Sequence, residues 1–338
     1  MNGKYRAART VVLISAVFAA CSSADAQIVY WAQATFGEDK LVSLDVGTTT
    51  TSPTVGWPDI SNPAGLGFDP VNRRIYWVQR KFAEDKIASV DLATGTVTPI
   101  LSWPNVSDPV DVAVDPTTDH IYWIENAPAD DKIVRADLNG ENIEVVRSWP
   151  SVVDAVSISL DSVGDTLYWA ERAAGSDRIA RANVSGGPVQ TIVAWPAVTD
   201  VIAIAVDRVG GKIYWAEQIA GDDRIARADL DGTNIETLIT WPDVASPVDV
   251  SVDTLNGKMY WVEQAFGSDR LARADLDGAN DETLLLWPTI VDPVGIAVDI
   301  PKIGIGIPTV STWGLIILTL LLAAVGTIWI HRVRPGPV

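Results

Sequence analysis

Cysteine and histidine are almost absent from this chain, which has one Cys and two His in 338 residues. Cys21 lies in an N-terminal segment that we expect to be removed, so disulfides would not contribute to the stability of the mature protein. His120 stands at the start of a predicted strand and His331 in the C-terminal tail. Catalysis by a cysteine nucleophile, or by a histidine base or metal ligand, therefore has little support in the sequence.

Basic residues are also scarce, with 25 Lys and Arg against 43 Asp and Glu and a formal net charge of −18. The two chain ends carry more positive than negative charge, so losing them would make the protein still more acidic. Such a surface repels nucleic acid phosphates and anionic lipid headgroups. It favours neutral glycans, cationic partners or divalent ions as ligands.

Helix-period apolar patterns are lacking, and a long internal repeat is present instead. Six Tyr-Trp pairs recur every 46 residues, as do six Trp-Pro pairs and six aspartates. A fixed period of this length indicates a propeller or another repeat array. The series begin at Tyr30, Tyr76, Tyr122, Tyr168, Tyr214 and Tyr260, at Trp57, Trp103, Trp149, Trp195, Trp241 and Trp287, and at Asp69, Asp115, Asp161, Asp207, Asp253 and Asp299.

One repeat contains four short strand candidates separated by Gly, Asp and Pro turns: 203–206, 212–217, 224–229 and 234–239. A single four-stranded unit cannot bury two apolar faces, so the units must stack and close into a ring. The sequence predicts an all-β fold, a six-bladed β-propeller over residues 27–300. The last strand, 295–299, should complete the first blade beside residues 29–32 and remove two exposed sheet edges.

Features present in every blade are predicted to be structural. We expect the twelve repeated tryptophans to form the core between blades. The same interpretation applies to the Asp-Lys/Arg pairs from Asp39-Lys40 to Asp269-Arg270 and to the residue after each Tyr-Trp pair: Gln33, Gln79, Glu125, Glu171, Glu217 and Glu263.

The Tyr-Trp pair followed by a segment such as 223–232, with its Leu-Asp-Gly turn, resembles the YWTD repeat of low-density lipoprotein receptors. The resemblance covers residues 28–300 and implies a six-bladed propeller of the extracellular type. This chain departs from the family motif, because Ala, Val or Ile followed by Gln or Glu replaces Thr-Asp. Receptor ligands are not implied, since no cysteine-rich or growth-factor-like modules accompany the repeats.

The N-terminus indicates export. A basic start, an apolar stretch at 11–20 and the small residues before Gln27 form a secretory signal peptide, residues 1–26, with cleavage after Ala26. A lipoprotein signal, in which Cys21 would be lipidated and retained, is the alternative. Its usual Leu three residues before the cysteine is missing.

After a linker at 301–306, residues 307–338 begin with Ile307-Pro308-Thr309-Val310 and continue with Trp313-Gly314. This C-terminal segment resembles a bacterial IPTL-type sorting signal. The matching motif is followed by a predicted transmembrane helix at about 313–330 and a basic tail with Arg332 and Arg334. The resemblance implies processing by an exosortase-like membrane protease. A plain membrane anchor is the alternative, and either places the propeller outside the cytoplasm. The motif comprises Ile307, Pro308, Thr309, Val310 in place of the usual Leu, Ser311, Trp313 and Gly314.

Candidate ligand-binding residues lie on one predicted face, where the turns after the second and fourth strands of each blade come together. The six Trp-Pro turns belong to this face, beside an axial ring formed by Asn62, Asp108, Asp154, Asp200, Ser246 and Asp292. Residues that differ between blades are the stronger candidates: Phe36, Lys81, Phe82, Pro128, Arg172, Gln264 and Phe266.

Calcium is the one cofactor that the sequence suggests. Asp111 and Asp249 replace small residues of the other blades near the acidic ring, and oxygen ligands suit calcium. The candidates are Asp108, Asp111, Asp154, Asp200, Asp249 and Asp292.

These features predict an exported, envelope-sorted binding scaffold for a protein or surface polysaccharide. An extracellular propeller hydrolase or lyase is the alternative, and would need a carboxylate pair for acid and base catalysis. A structural matrix or adhesion component, which would assemble with itself, is a second alternative.

Overall fold

A computed structural model describes residues 27–35, 37–127 and 130–299 of the protein. Every regular element in these ranges is a β-strand. In chain order, the strands are β1 Ile28–Gln33, β2 Lys40–Asp45, β3 Thr50–Gly56, β4 Pro63–Asp69, β5 Arg74–Gln79, β6 Lys86–Asp91, β7 Val97–Ser102, β8 Pro109–Asp115, β9 His120–Glu125, β10 Lys132–Asp137, β11 Glu144–Ser148, β12 Ala155–Asp161, β13 Thr166–Glu171, β14 Arg178–Asn183, β15 Gln190–Ala194, β16 Val201–Asp207, β17 Lys212–Glu217, β18 Arg224–Asp229, β19 Glu236–Thr240, β20 Pro247–Asp253, β21 Lys258–Glu263, β22 Arg270–Asp275, β23 Glu282–Leu286 and β24 Pro293–Asp299.

The strands form six four-stranded antiparallel sheets, the blades of a propeller, which confirms the predicted fold. Blade 1 has the order β24-β1-β2-β3, and blades 2 to 6 take four consecutive strands each. Within the repeat analysed above, the second and third strands have the predicted bounds, whereas the fourth begins two residues later, at Glu236. The delay arises because Asn234, with a φ of 54°, still belongs to the preceding turn.

The ring closes as predicted. β24 pairs with β1 in an antiparallel register that sets Ile28 opposite Asp299 and Trp31 opposite Ile296. The first and last described strands thereby share one blade, so β1 has a neighbour on both sides and β24 forms the inner strand of a complete four-stranded sheet. Closure needs no residue outside 28–299.

The core consists of six apolar layers, one between each pair of neighbouring blades. Each layer contains the Tyr of one Tyr-Trp pair and the Trp of the next, as Tyr214 and Trp261 do between blades 5 and 6. The six Trp residues of these pairs are completely buried. The prediction that the repeated tryptophans form the core between blades is therefore confirmed for the six of the Tyr-Trp pairs.

A buried ion pair supports the indole in four of the blades. In blade 5 the indole N–H of Trp215 donates to Glu217 at 2.6 Å, and the other carboxylate oxygen of Glu217 accepts a bond from Arg224 at 2.8 Å. Blades 1 and 2 carry Gln33 and Gln79 instead. The other three chains of contacts are Trp123–Glu125–Lys132, Trp169–Glu171–Arg178 and Trp261–Glu263–Arg270.

Two carboxylates connect the inner strands around the propeller axis. Asp111 in blade 3 accepts bonds from the backbone N–H of Val112 at 2.8 Å and, in blade 4, from the N–H of Ile158 and the hydroxyl of Ser157, both at 2.9 Å. The inner edge of a blade has no neighbouring strand, so its N–H groups need such acceptors.

Asp249 has the same role in blade 6. It accepts bonds from the N–H of Val250 and, in blade 1, of Ile296, both at 2.8 Å. Burial raises the pKa of Asp111 to about 6. Burial and the charge of Asp111 raise the pKa of Asp249 well above its ordinary value. Both carboxylates line the axial cavity, so ionising the pair at neutral pH opposes folding.

We expect Glu217→Gln to lower the free energy of unfolding by about 1 to 3 kcal/mol, because Arg224 would lose a charged and buried acceptor. Glu236→Gln is the matched control, since this exposed residue pairs with Arg227 at the surface. The control should cost less than about 1 kcal/mol. Denaturant unfolding measures both variants, and equal losses would contradict a structural role for the buried chain.

Stability should fall as the pH rises through about 6. Because folding raises the pKa of Asp111 and Asp249, their contribution is fully present below about pH 4 and is lost above the folded pKa. Asp249→Asn should therefore flatten the decrease in Tm between about pH 5 and pH 8, whereas the exposed control Asp277→Asn should not. Scanning calorimetry across this range tests the expectation, and parallel curves for all three proteins would refute it.

Candidate functional site

The six Trp-Pro turns follow the outer strands, and their indoles face solvent. Trp57, Trp103, Trp149, Trp195, Trp241 and Trp287 are between 53% and 62% exposed. The expectation that all twelve tryptophans are core is therefore wrong for these six. The reason is their position: each stands just beyond the end of the outermost strand, where no neighbouring blade covers it. Each Trp-Pro peptide bond is cis.

A buried aspartate holds each Trp-Pro turn. In blade 1, the carbonyl oxygen of Asp39 accepts a bond from the N–H of Trp57 at 3.0 Å, and its carboxylate accepts one from the N–H of Asn62 at 2.7 Å. The same pair of bonds recurs in every blade. Asp85, Asp131, Asp177, Asp223 and Asp269 make them in the other five. One aspartate therefore holds the backbone at both ends of each Trp-Pro turn.

The residues of the predicted axial ring share a left-handed backbone, with φ between 44° and 47°. This conformation favours Asn, Asp and Ser over larger side chains and turns the chain into the inner strand. The ring also binds side chains from the turns after the second strands. Asp292 accepts a bond from Gln264 at 3.3 Å, and Asp108 lies 3.4 Å from Arg80.

The remaining ligand-binding candidates separate into two groups. Phe82 and Phe266 are fully exposed, and Lys81 pairs with Glu84. Arg172 and Gln264 line a second cavity, at the starts of the inner strands, together with Ser157, Asp111 and Asp249. Arg80 lines it as well and was not among the sequence-predicted candidates. Phe36 and Pro128 lie outside the described residues.

The calcium candidates do not converge on one point. In the described part of the chain, no three His, Cys, Asp or Glu residues come together in a way that could hold a metal ion. Asp111 and Asp249 lie in the channel, whereas Asp108, Asp154, Asp200 and Asp292 precede the inner strands. Calcium binding stays a prediction.

Both ends of the described chain lie on the face opposite the Trp-Pro turns. These turns precede the inner strands, so their face contains Pro293, the first residue of β24, and the other face contains Asp299, its last residue. Ile28 pairs with Asp299 and therefore lies there too. We call the face with the Trp-Pro turns the Trp face.

The predicted signal peptide with its cleavage after Ala26, the linker, the sorting motif and the transmembrane helix all fall outside the described residues. Within the part of the chain that the structure covers, no helix is both long and apolar enough to span a membrane.

Comparison with known proteins gives matches of two kinds. A chain in the crystal structure of a nidogen/laminin complex superimposes with a TM-score of 0.69 at 17% identity, over 81% of this chain and 98% of that one. TolB from Acinetobacter baumannii superimposes with a TM-score of 0.66 at 15% identity, over 81% of this chain and 66% of TolB. At these identities the likeness shows the fold alone. No curated protein matches the chain.

The second match concerns the C-terminus. Residues 305–334 match the model of the IPTL-CTERM motif, as the residues from Ile307 to Gly314 predict. This motif indicates an exported protein that is sorted at the envelope. The chain therefore combines a six-bladed β-propeller with an IPTL-CTERM motif.

Proposed function

We propose that this protein is an envelope-sorted binding scaffold that recognises a surface polysaccharide through its Trp face. The six exposed tryptophans are the observation that carries the proposal. Burying an indole would stabilise the fold by about several kcal/mol, in proportion to the apolar area removed from water. Each blade nevertheless leaves one indole more than half exposed. Repeated apolar surface of this kind suits a ligand surface.

The chemistry of the Trp face favours a glycan. An indole is a flat apolar plate that can stack on the C–H face of a sugar ring, and the aspartates of the axial ring on the same face can accept bonds from sugar hydroxyls. The strongly acidic composition disfavours polyanions and permits neutral chains. Six equivalent positions also suit a ligand that repeats, because several weak contacts along one chain add up in avidity.

Attachment from the opposite face would present the Trp face outward. The chain leaves the propeller at Asp299, on the face opposite the tryptophans, and continues toward the IPTL-CTERM motif. We propose that an exosortase-like membrane protease acts on this motif, and that the C-terminal helix holds the protein at the membrane at least until then. The Trp face would then point away from the membrane.

A protein ligand is the second candidate, because one structural neighbour comes from a complex of nidogen with laminin. Such a partner would need a surface that matches both the acidic ring and the indoles. It would not require the sixfold repetition, and for this reason we place it second.

The test uses residues 27–299 with polysaccharides extracted from the native envelope, measured by co-sedimentation. A triple variant, Trp195→Ala with Trp241→Ala and Trp287→Ala, should weaken binding at least about tenfold, equivalent to 1.4 kcal/mol. The matched control replaces exposed apolar residues of the same three blades on the opposite face, Val163→Ala with Val209→Ala and Leu255→Ala. The control should bind as the unmodified protein does.

Three results would contradict the proposal. Equal binding by the triple variant and the control would exclude the exposed tryptophans as the site. Loss of binding in Phe82→Ala with Phe266→Ala, but not in the tryptophan variant, would move the site to the turns after the second strands. Self-association in sedimentation velocity, with no glycan bound, would favour the matrix component.

A further inference from the structure

The junction between blades 3 and 4 breaks the sixfold repeat at one residue. Near the end of the outer strand, five blades carry a buried apolar side chain: Val55, Leu101, Val193, Ile239 and Leu285. Blade 3 carries Arg147 at the equivalent place. A long cation therefore stands where the fold elsewhere uses an aliphatic side chain.

The turn that faces this residue from blade 4 is also different. At three other junctions, the glycine between the third and outer strands packs against the outer strand of the preceding blade: Gly140 on Ile100, Gly232 on Ile192 and Gly278 on Leu238. In blade 4 the turn contains Gly186 and Gly187, and an added Cβ at either would meet no atom within 4 Å. This turn stands away from blade 3.

A cleft remains between the two blades on the outer wall of the propeller. Its volume is about 510 Å³, enough for one sugar unit rather than only a simple ion. The lining residues are Arg147, Pro150, Ser151, Arg178, Gly187, Pro188 and Val189.

The guanidinium of Arg147 has no counterion among the described residues. Its two terminal nitrogens donate only to backbone carbonyl oxygens, of Val146 at 2.6 Å and of Asn183 at 2.8 Å. Its Nε is buried without a partner in the described chain, as are those of Arg224 and Arg270, so the missing counterion is what distinguishes Arg147. Burial lowers the pKa of Arg147, and no carboxylate offsets this effect. A half-buried cation without a counterion costs stability unless an anionic ligand supplies the opposite charge.

The charge in the cleft favours a monoanion. Arg178 also lines the cleft, but its guanidinium is neutralised by Glu171 at 2.7 Å. One positive charge, that of Arg147, is left over. The planar guanidinium of an arginine can donate two parallel hydrogen bonds to the two oxygens of a carboxylate. The hydroxyl of Ser151 can form a hydrogen bond with a sugar hydroxyl next to that carboxylate.

We propose that the cleft between blades 3 and 4 binds the carboxylate of a sugar acid, with Arg147 as its charged contact. The site adjoins the Trp149-Pro150 turn, which contributes Pro150 and Ser151 to it, but none of the six exposed tryptophans lines the cleft. It does not depend on the function proposed for the Trp face. It would give this side of the propeller a preference for acidic sugar units.

The test is a titration of residues 27–299 by isothermal calorimetry with three probes: glucuronate, glucose and inorganic phosphate. Glucuronate should bind, and glucose should not. Arg147→Leu should weaken glucuronate binding at least about tenfold. This variant should fold, because it installs the residue that blades 2 and 6 already carry, and its Tm should be equal or higher. Arg208→Leu, a change at an exposed arginine that pairs with Asp161 in another blade, is the matched control.

The other outcomes would overturn the proposal. Unchanged affinity in Arg147→Leu, or no glucuronate binding by the folded protein, would exclude the site. Tighter binding of phosphate than of glucuronate would contradict the assignment to a single carboxylate. The tryptophan triple variant should keep its glucuronate affinity, so failure of this site and failure of the Trp face can be distinguished.

Discussion

The two side chains of each Tyr-Trp pair point to opposite faces of the blade, and the rest of the architecture depends on this arrangement. Consecutive residues of a strand point to opposite faces of the sheet, so each second strand sends a tyrosine into one layer and a tryptophan into the next. Both faces of a blade are therefore apolar, and no blade is stable without two neighbours. A closed ring is the arrangement in which every blade has both. Closure in turn requires that β24 joins β1, which brings the two ends of the described chain to one face.

Most of this architecture could be predicted from the sequence, because the strands assigned in one repeat apply to all six repeats when the period is fixed. The period, the four strands of a blade and the shared first blade all follow from it. The exposure of the Trp-Pro tryptophans did not follow. Both tryptophan series have the same residue type and the same spacing, and only the position beyond the outer strand separates a covered indole from an open one. The proline after each of these tryptophans marks a strand end, which is the signal that distinguishes the two series.

The site was less predictable, because its information lies in departures from the repeat and in contacts between blades. Arg172 and Gln264 were identified as departures, and the structure places them at the same cavity as Arg80. Arg147 is an equally clear departure in an alignment of the repeats. Its meaning depends on a turn in the next blade that stands away and on a guanidinium without a counterion among the described residues. Neither can be read from spacing.

Repetition alone does not distinguish a feature that serves stability from one that serves binding, whereas repetition combined with exposure favours binding. The aspartate that supports each Trp-Pro turn is buried, and its bonds reach only backbone N–H groups. Any residue that keeps its N–H could satisfy them at the tryptophan position. The buried Tyr-Trp series already fills the layers between blades, so the fold does not need the second set of indoles for its core. The large apolar side chain that each turn leaves in solvent in all six blades is therefore the basis for proposing that this face contacts a ligand.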